Sequence, residues 1–93
     1  MKHYRVGWKH QHPDEPVLLY HEVDERGWET RKIEVWRSGK KGFASAAGEH
    51  GDTRLGVEPF PSLTEIARDP QFDPAEISQE EFEHAWNARL SPI

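Results

Sequence analysis

Cysteine is absent from the 93 residues, and disulfides, thiolate metal sites and cysteine nucleophiles go with it. Long apolar runs are missing too. Nowhere do 18 apolar residues follow one another, so no segment reads as a membrane-spanning helix. The opening "MKHYRVGWKH" lacks the apolar stretch of a signal peptide, and a soluble cytoplasmic protein is the expectation. Basic residues are outnumbered, 12 Lys and Arg against 17 Asp and Glu, which leaves a formal charge of -5. That balance speaks against nucleic-acid binding without help, and it favours attraction of a basic partner. A local basic cluster remains at Arg37, Lys40 and Lys41.

Apolar residues are also scarce, at 34% with a mean hydropathy of -0.93, so the core must be lean. What offsets this is aromatic content. Four Trp, two Tyr and four Phe are present, and each ring buries on the order of 150–250 Å². A chain of this length with such rings is expected to fold as one domain over 1–93. Six histidines are the other notable content; six protons would carry the formal charge from -5 to +1.

Period-two alternation predicts four strands. Tyr4, Val6 and Trp8 share one face of a strand over about 3–10. Val17, Leu19, His21 and Val23 share a face over 16–23, and Arg31, Ile33 and Val35 share one over 29–37. "KGFAS" gives the fourth, 41–45. Pairing Leu19 with Ile33 sets Val17 against Val35, His21 against Arg31 and Glu22 against Thr30, closed by the loop "DERGW" with Gly27 at the turn. "SGK", 38–40, would then close a second hairpin with Val35 opposite Phe43. Residues 46–61, with three glycines and two prolines, read as a loop holding at most a short extended piece at Arg54–Val57.

The period changes in the last third. "SLTE" and "SQEE" carry the S-x-x-E spacing of a capping box, and predict helices over about 62–68 and 78–90. Phe82, Ala85, Trp86 and Leu90 form the apolar stripe of the second. "PQFDPAE" between them reads as a turn with Phe72 tucked beneath. The expected fold class is α+β: an antiparallel four-stranded or five-stranded meander with the C-terminal helices on one face. Phe82 and Trp86 would cover Trp8, Leu19, Ile33 and Val35.

The stretch that looks most like chemistry is "HQHPDEP", 10–16. His10 and His12 lack a third ligand converging on them, as a zinc site requires. Pro13 and Pro16 fix φ and Asp14 suits an Asx-turn, so the heptapeptide reads as a stiff polar turn. His21 beside Arg31 reads as a structural histidine before it reads as a base. Glu22, Lys32 and Glu34 would line the solvent face, where Trp36 is an unexpected ring; it is either covered by the 46–61 loop or a partner's anchor. "GEHGDTRLG", 48–56, has Arg54 but not the spacing of a phosphate loop. Ser38, Ser45, Ser62, Ser78 and Ser91 stand in no nucleophilic surroundings. No catalytic residue, metal ligand or cofactor is expected.

The pattern "W-K-H-x-x-P-D-E-P-V-L-L-Y-x-E-V-D", 8–24, with "R-K-I-E-V-W", 31–36, resembles a family of small bacterial proteins of uncharacterised function. The likeness continues through "D-T-R-L-G", 52–56, "P-S-L-T-E-I", 61–66, and "I-S-Q-E-E-F-E-H-A-W", 77–86. It implies a bacterial, intracellular single-domain protein and brings no activity with it.

The functional expectation is a non-enzymatic protein-binding module. An immunity protein or antitoxin is the type, occluding a basic toxin or nuclease through Asp14, Glu15, Glu22, Lys32, Glu34 and Trp36. The alternative is a small enzyme or ligand-binding domain using His21, Glu22 and Arg31.

Overall fold

The computed structural model describes residues 1–90; Ser91 lies outside them. The elements run β1 (Lys2–Trp8), β2 (Leu18–Val23), β3 (Glu29–Val35), β4 (Lys41–Ser45), β5 (Gly48–His50), α1 (Leu63–Ala67), β6 (Phe72–Ile77) and α2 (Gln79–Asn87). One sheet holds all six strands in the order β5-β4-β3-β2-β1-β6, antiparallel throughout. The predicted α+β class and meander are there, with two strands more than the four counted from alternation.

The two extra strands explain themselves. β5 sits in the segment read as a loop, upstream of the expected extended piece, and is only three exposed residues long. β6 occupies the stretch read as a turn. Its Pro74 removes a backbone donor, which argues against an interior strand, and β6 escapes that rule by lying at the sheet edge beside β1.

Both serines cap their helices as expected. Ser62 Oγ accepts from Glu65 N–H and Ser78 Oγ from Glu81 N–H, at 3.2 and 3.0 Å. α2 ends at Asn87, short of the predicted 90, and Leu90 is exposed.

The register differs from the expected one, and the reason is local. The turn closes as read: Asp24 N–H donates to Trp28 O, Gly27 takes φ 91°, and Val23 faces Glu29. One step further the ladder slips. Glu22 faces Arg31, leaving Thr30 as the extra residue of a β-bulge, and from there Tyr20 faces Ile33 and Leu19 faces Glu34. Leu19 and Ile33 therefore lie on opposite faces, because a slip of one residue exchanges the faces of a strand relative to its neighbour. The next hairpin is offset by two residues, with Ile33 opposite Phe43, which preserves faces.

The sheet is consequently covered on both sides, not one. On the first face α2 lies over Tyr20, Arg31, Ile33 and Phe43, with Phe82 fully buried and Trp86 edge-on to Phe43. The second face carries Tyr4, Val6, Trp8, Leu19, His21 and Val23, so Trp8 and Leu19, two of the four residues expected beneath α2, lie on the far side of the sheet from it. Here the cover is the 51–61 segment and α1. Thr53 Oγ1 donates to Glu34 at 2.7 Å, Lys32 donates to Arg54 O, and Phe60 stacks 5.0 Å from Tyr4. Gly42 is what admits Thr53 so closely: a Cβ there would stand 2.2 Å from its Oγ1.

Candidate functional site

The second face contains a hollow of about 520 Å³ between the sheet and α1. Val6, Trp8, Leu19, Phe60, Ile66 and Phe72 wall it. These side chains meet because β1 and β2 present their odd-even pattern downward while the loop from Gly56 swings Phe60 and α1 across. Two carboxylates, Glu65 and Asp69, stand at its margin on exposed positions of α1 and the following turn. His21 completes the lining, and it also lines an adjoining hollow of about 360 Å³ with Glu29, Lys32 and Glu58.

His21 is the polar group built into this wall. Its side chain is 8% exposed, and its Nδ1 is hydrogen-bonded to Glu29, whose side chain is 4% exposed. Phe60 packs on the imidazole at 4.7 Å between centroids, fixing the ring plane. Burial alone would push the Glu29 carboxyl upward. The hydrogen bond and charge of His21, the charge of Lys32 at 3.9 Å and the Gly56 N–H at 2.5 Å overcome it and hold Glu29 below its ordinary range. Glu29 is thus the acceptor and Nδ1–H the donor, which leaves Nε2 as the second ring nitrogen. No described residue bonds Nε2, and the unpartnered buried polar atom among the described residues is Arg89 Nε, so Nε2 is reachable from the hollow.

The other buried polar cluster lies on the α2 face and is a structural lock. Arg31 donates through Nε and Nη2 to the two Glu22 oxygens at 2.8 and 2.6 Å, and through Nη1 and Nη2 to Glu83 at 3.0 and 2.5 Å. His3 Nε2 lies 3.0 Å from Glu22, and Thr30 Oγ1 donates to it at 2.7 Å. The guanidinium also stacks on Phe82 and Trp86, at 4.9 and 5.1 Å. The Arg31 bonds above all hold the Glu22 carboxyl at about 2, against burial and with help from Thr30 and His3.

Several expected site residues are therefore placed elsewhere than on an open face. Glu22 is 5% exposed and Trp36 is 8% exposed, so neither offers a surface contact. Trp36 Nε1 donates to Asp14 O at 3.1 Å and Lys40 caps its ring at 4.9 Å; the proline turn, and not the 46–61 loop, supplies that bond. Lys32 and Glu34 are tied to the 51–61 segment. Asp14 and Glu15 alone of the six are exposed. His21, Glu22 and Arg31 do not converge: alternation along β2 puts Glu22 on the face opposite His21, and the bulge puts Arg31 there with it.

"HQHPDEP" is a turn held by its own first histidine. His10 Nδ1 accepts from His12 N–H at 3.0 Å and Nε2 donates to Pro16 O at 2.7 Å, so both ring nitrogens serve the loop. The basic cluster is dispersed as well: Arg37 donates to His10 O, Lys40 pairs with Asp52 at 3.7 Å, and Lys41 donates to Ala88 O.

Glu29 is the site residue that the sequence reading missed. A signal for it existed. The turn register alone sets Glu29 opposite Val23, one diagonal step from His21 on the same face. Phe60 and Ile66 gave no such signal, because nothing local ties the loop to the second face.

The family model of a domain of unknown function, DUF6881, matches residues 2–91, and the chain belongs to that family. No curated protein and no solved structure matches it. Among the described residues no helix is long and apolar enough to cross a membrane.

Proposed function

We propose that the chain is a binding module whose site is the hollow between the sheet and α1. The observation that carries this reading is the combination in one place of about 520 Å³ of apolar-walled space and a buried histidine with a free nitrogen. Ligand pockets characteristically have this build, at roughly 300–1,000 Å³ with few polar groups in an apolar lining. Trp8 on the wall reports on occupancy. Titration with the neutral dye Nile red quenches or shifts its emission saturably in the wild type. Leu19→Trp fills the same space; it retains the circular dichroism of the parent and loses the dye. A filled variant that binds as well as the parent would refute the assignment.

A second reading has the acidic balance in its favour: an immunity protein or antitoxin that occludes a basic partner. Of the contact residues it invoked, the exposed pair Asp14 and Glu15 supports it, on a turn that His10 makes rigid. Charge reversal at both positions abolishes capture of a basic toxin under this reading and leaves dye binding untouched.

A further inference from the structure

The charges around the hollow narrow what it accepts. Resting on the binding reading above, we infer that its ligand is a hydrophobic amine, with an apolar body seated in the hollow and a protonated amino group at the margin beside Glu65 and Asp69.

Three observations converge on this class. First, the walls are aromatic and aliphatic, and two carboxylates, Glu65 and Asp69, stand at their margin. An amphiphile is the shape that satisfies both parts. Second, these carboxylates are not neutralised. Glu65 Oε1 accepts from Ser62 Oγ at 3.2 Å and Asp69 Oδ1 from Gln71 N–H at 2.9 Å, and no described Lys or Arg pairs with either. Arg68, the cap of α1, is exposed and does not line the hollow. Glu65 and Asp69 face water, so an ammonium beside them keeps part of its hydration while only the apolar body is buried. Third, the sign of the field does not depend on the proton of His21. Its side chain is 8% exposed and Nε2 has no described partner. That nitrogen accepts or donates according to the proton it carries. Four carboxylates, Glu29, Glu58, Glu65 and Asp69, line the two adjoining hollows against one lysine, Lys32. A protonated His21 lowers the formal negative excess from three to two and does not reverse it. Apolar walls focus a field of one sign, so an anion is repelled and a cation drawn in either state.

The test uses three probes on one phenylbutyl body, 4-phenylbutylamine, 4-phenylbutanol and 4-phenylbutanoate, each titrated against the whole chain at neutral pH. Displacement of Nile red gives affinity, and the Trp8 indole N–H signal places the probe on the wall. The amine is expected to bind tightest and butanoate weakest, with the amine about tenfold over the alcohol at low salt, the size of two exposed ion pairs. Raised salt shrinks that advantage. Glu65→Gln with Asp69→Asn keeps both local acceptors and removes both charges. In that variant the amine and the alcohol bind alike, and the alcohol binds as in the wild type. The wild-type order and its salt dependence decide the matter should the double variant not fold. An amine no tighter than the alcohol, or an advantage that survives the double substitution, would overturn the inference and leave the hollow as a binding site. Butanoate binding tightest would overturn it by showing that a protonated His21 sets the sign. Probes that all fail to displace a bound dye would overturn it likewise. A chain that binds no dye would remove the binding reading and this inference with it.

Discussion

Protonating one carboxyl should unfasten α2 from the sheet. Glu22 receives two bonds from Arg31, one from Thr30 and one from His3, and its carboxyl lies at about 2 against an ordinary 4.5. A folded-state value below the unfolded one stabilises the fold at any pH well above 4.5, and that stability drains away as pH falls toward 2. The displacement corresponds to about 3 kcal/mol at neutral pH, of which about 2 kcal/mol is gone by pH 3. Glu83 and Glu29 are depressed in the same direction, the first by Arg31 and the second by His21 and Lys32, so their loss adds to the slope. Urea unfolding followed by tryptophan fluorescence at pH 7, 5, 4 and 3 measures this for the wild type and for Glu22→Gln. At pH 7 the variant is expected to be less stable by about 2–4 kcal/mol, since a buried charged partner is left short of its counter-ion. The gap narrows as the pH falls, because the wild type loses what the variant never had. Parallel curves at all four pH values would refute the reasoning, because Glu22 would then not be the group that titrates.

Three further substitutions probe the parts that position the hollow. Gly42→Ala pushes a Cβ against Thr53 and displaces the segment that covers the second face; thermal unfolding should show a loss of about 1–3 kcal/mol, and dye binding should weaken with it. Ser78→Ala removes the N-cap of α2 and is expected to cost about 1 kcal/mol in a denaturant titration, whereas the same change at Ser62 costs less because α1 is a five-residue helix. Trp36→Phe keeps an aromatic side chain but loses the bond to Asp14 O and part of the buried ring, a loss of at least about 0.5–1.5 kcal/mol by the same measurement; capture of a basic partner, if it occurs through Asp14 and Glu15, should weaken as the turn loosens.

The parts of the fold legible in the sequence were those fixed within a few residues. Ser62 and Ser78 announced their helices because a capping box is a contact across three residues, and "DERGW" announced its turn because Gly27 and Asp24 act on their own backbone. Four of six strands were visible through alternation. β6 was not, because Pro74 speaks against a strand until one knows that it lies at an edge, and edge position is a property of the assembled sheet. The expected exposure of Glu22 and Trp36 was misjudged for a related reason. Glu22 and Trp36 look like surface residues in an alternating pattern, and only α2 and the proline turn, far off in sequence, bury them. The hollow was out of reach altogether, since Phe60 and Ile66 come from segments whose docking no short-range pattern encodes.

The bulge at Thr30 connects these outcomes. Up to Val23 and Glu29 the register is the one that the turn dictates; beyond Thr30 it is displaced by one. Had the ladder run straight, Arg31 would share a face with His21 and Glu29. The guanidinium would then be the natural partner of the Glu29 carboxylate, with two bonds to offer against one from an imidazole. The extra residue turns Arg31 over to Glu22, Glu83 and α2, and brings Lys32 to the His21 side in its place, 3.9 Å from Glu29. Two acid–base groups that are neighbours in sequence become separated by the sheet: one clamps a helix, the other keeps a histidine nitrogen open to an apolar hollow. A bulge costs ladder hydrogen bonds and is retained where it re-aims side chains. Here the side chain it re-aims away from the hollow matters as much as those it leaves there, because an arginine on that wall would seal His21 into an ion-pair network of the kind seen on the opposite face.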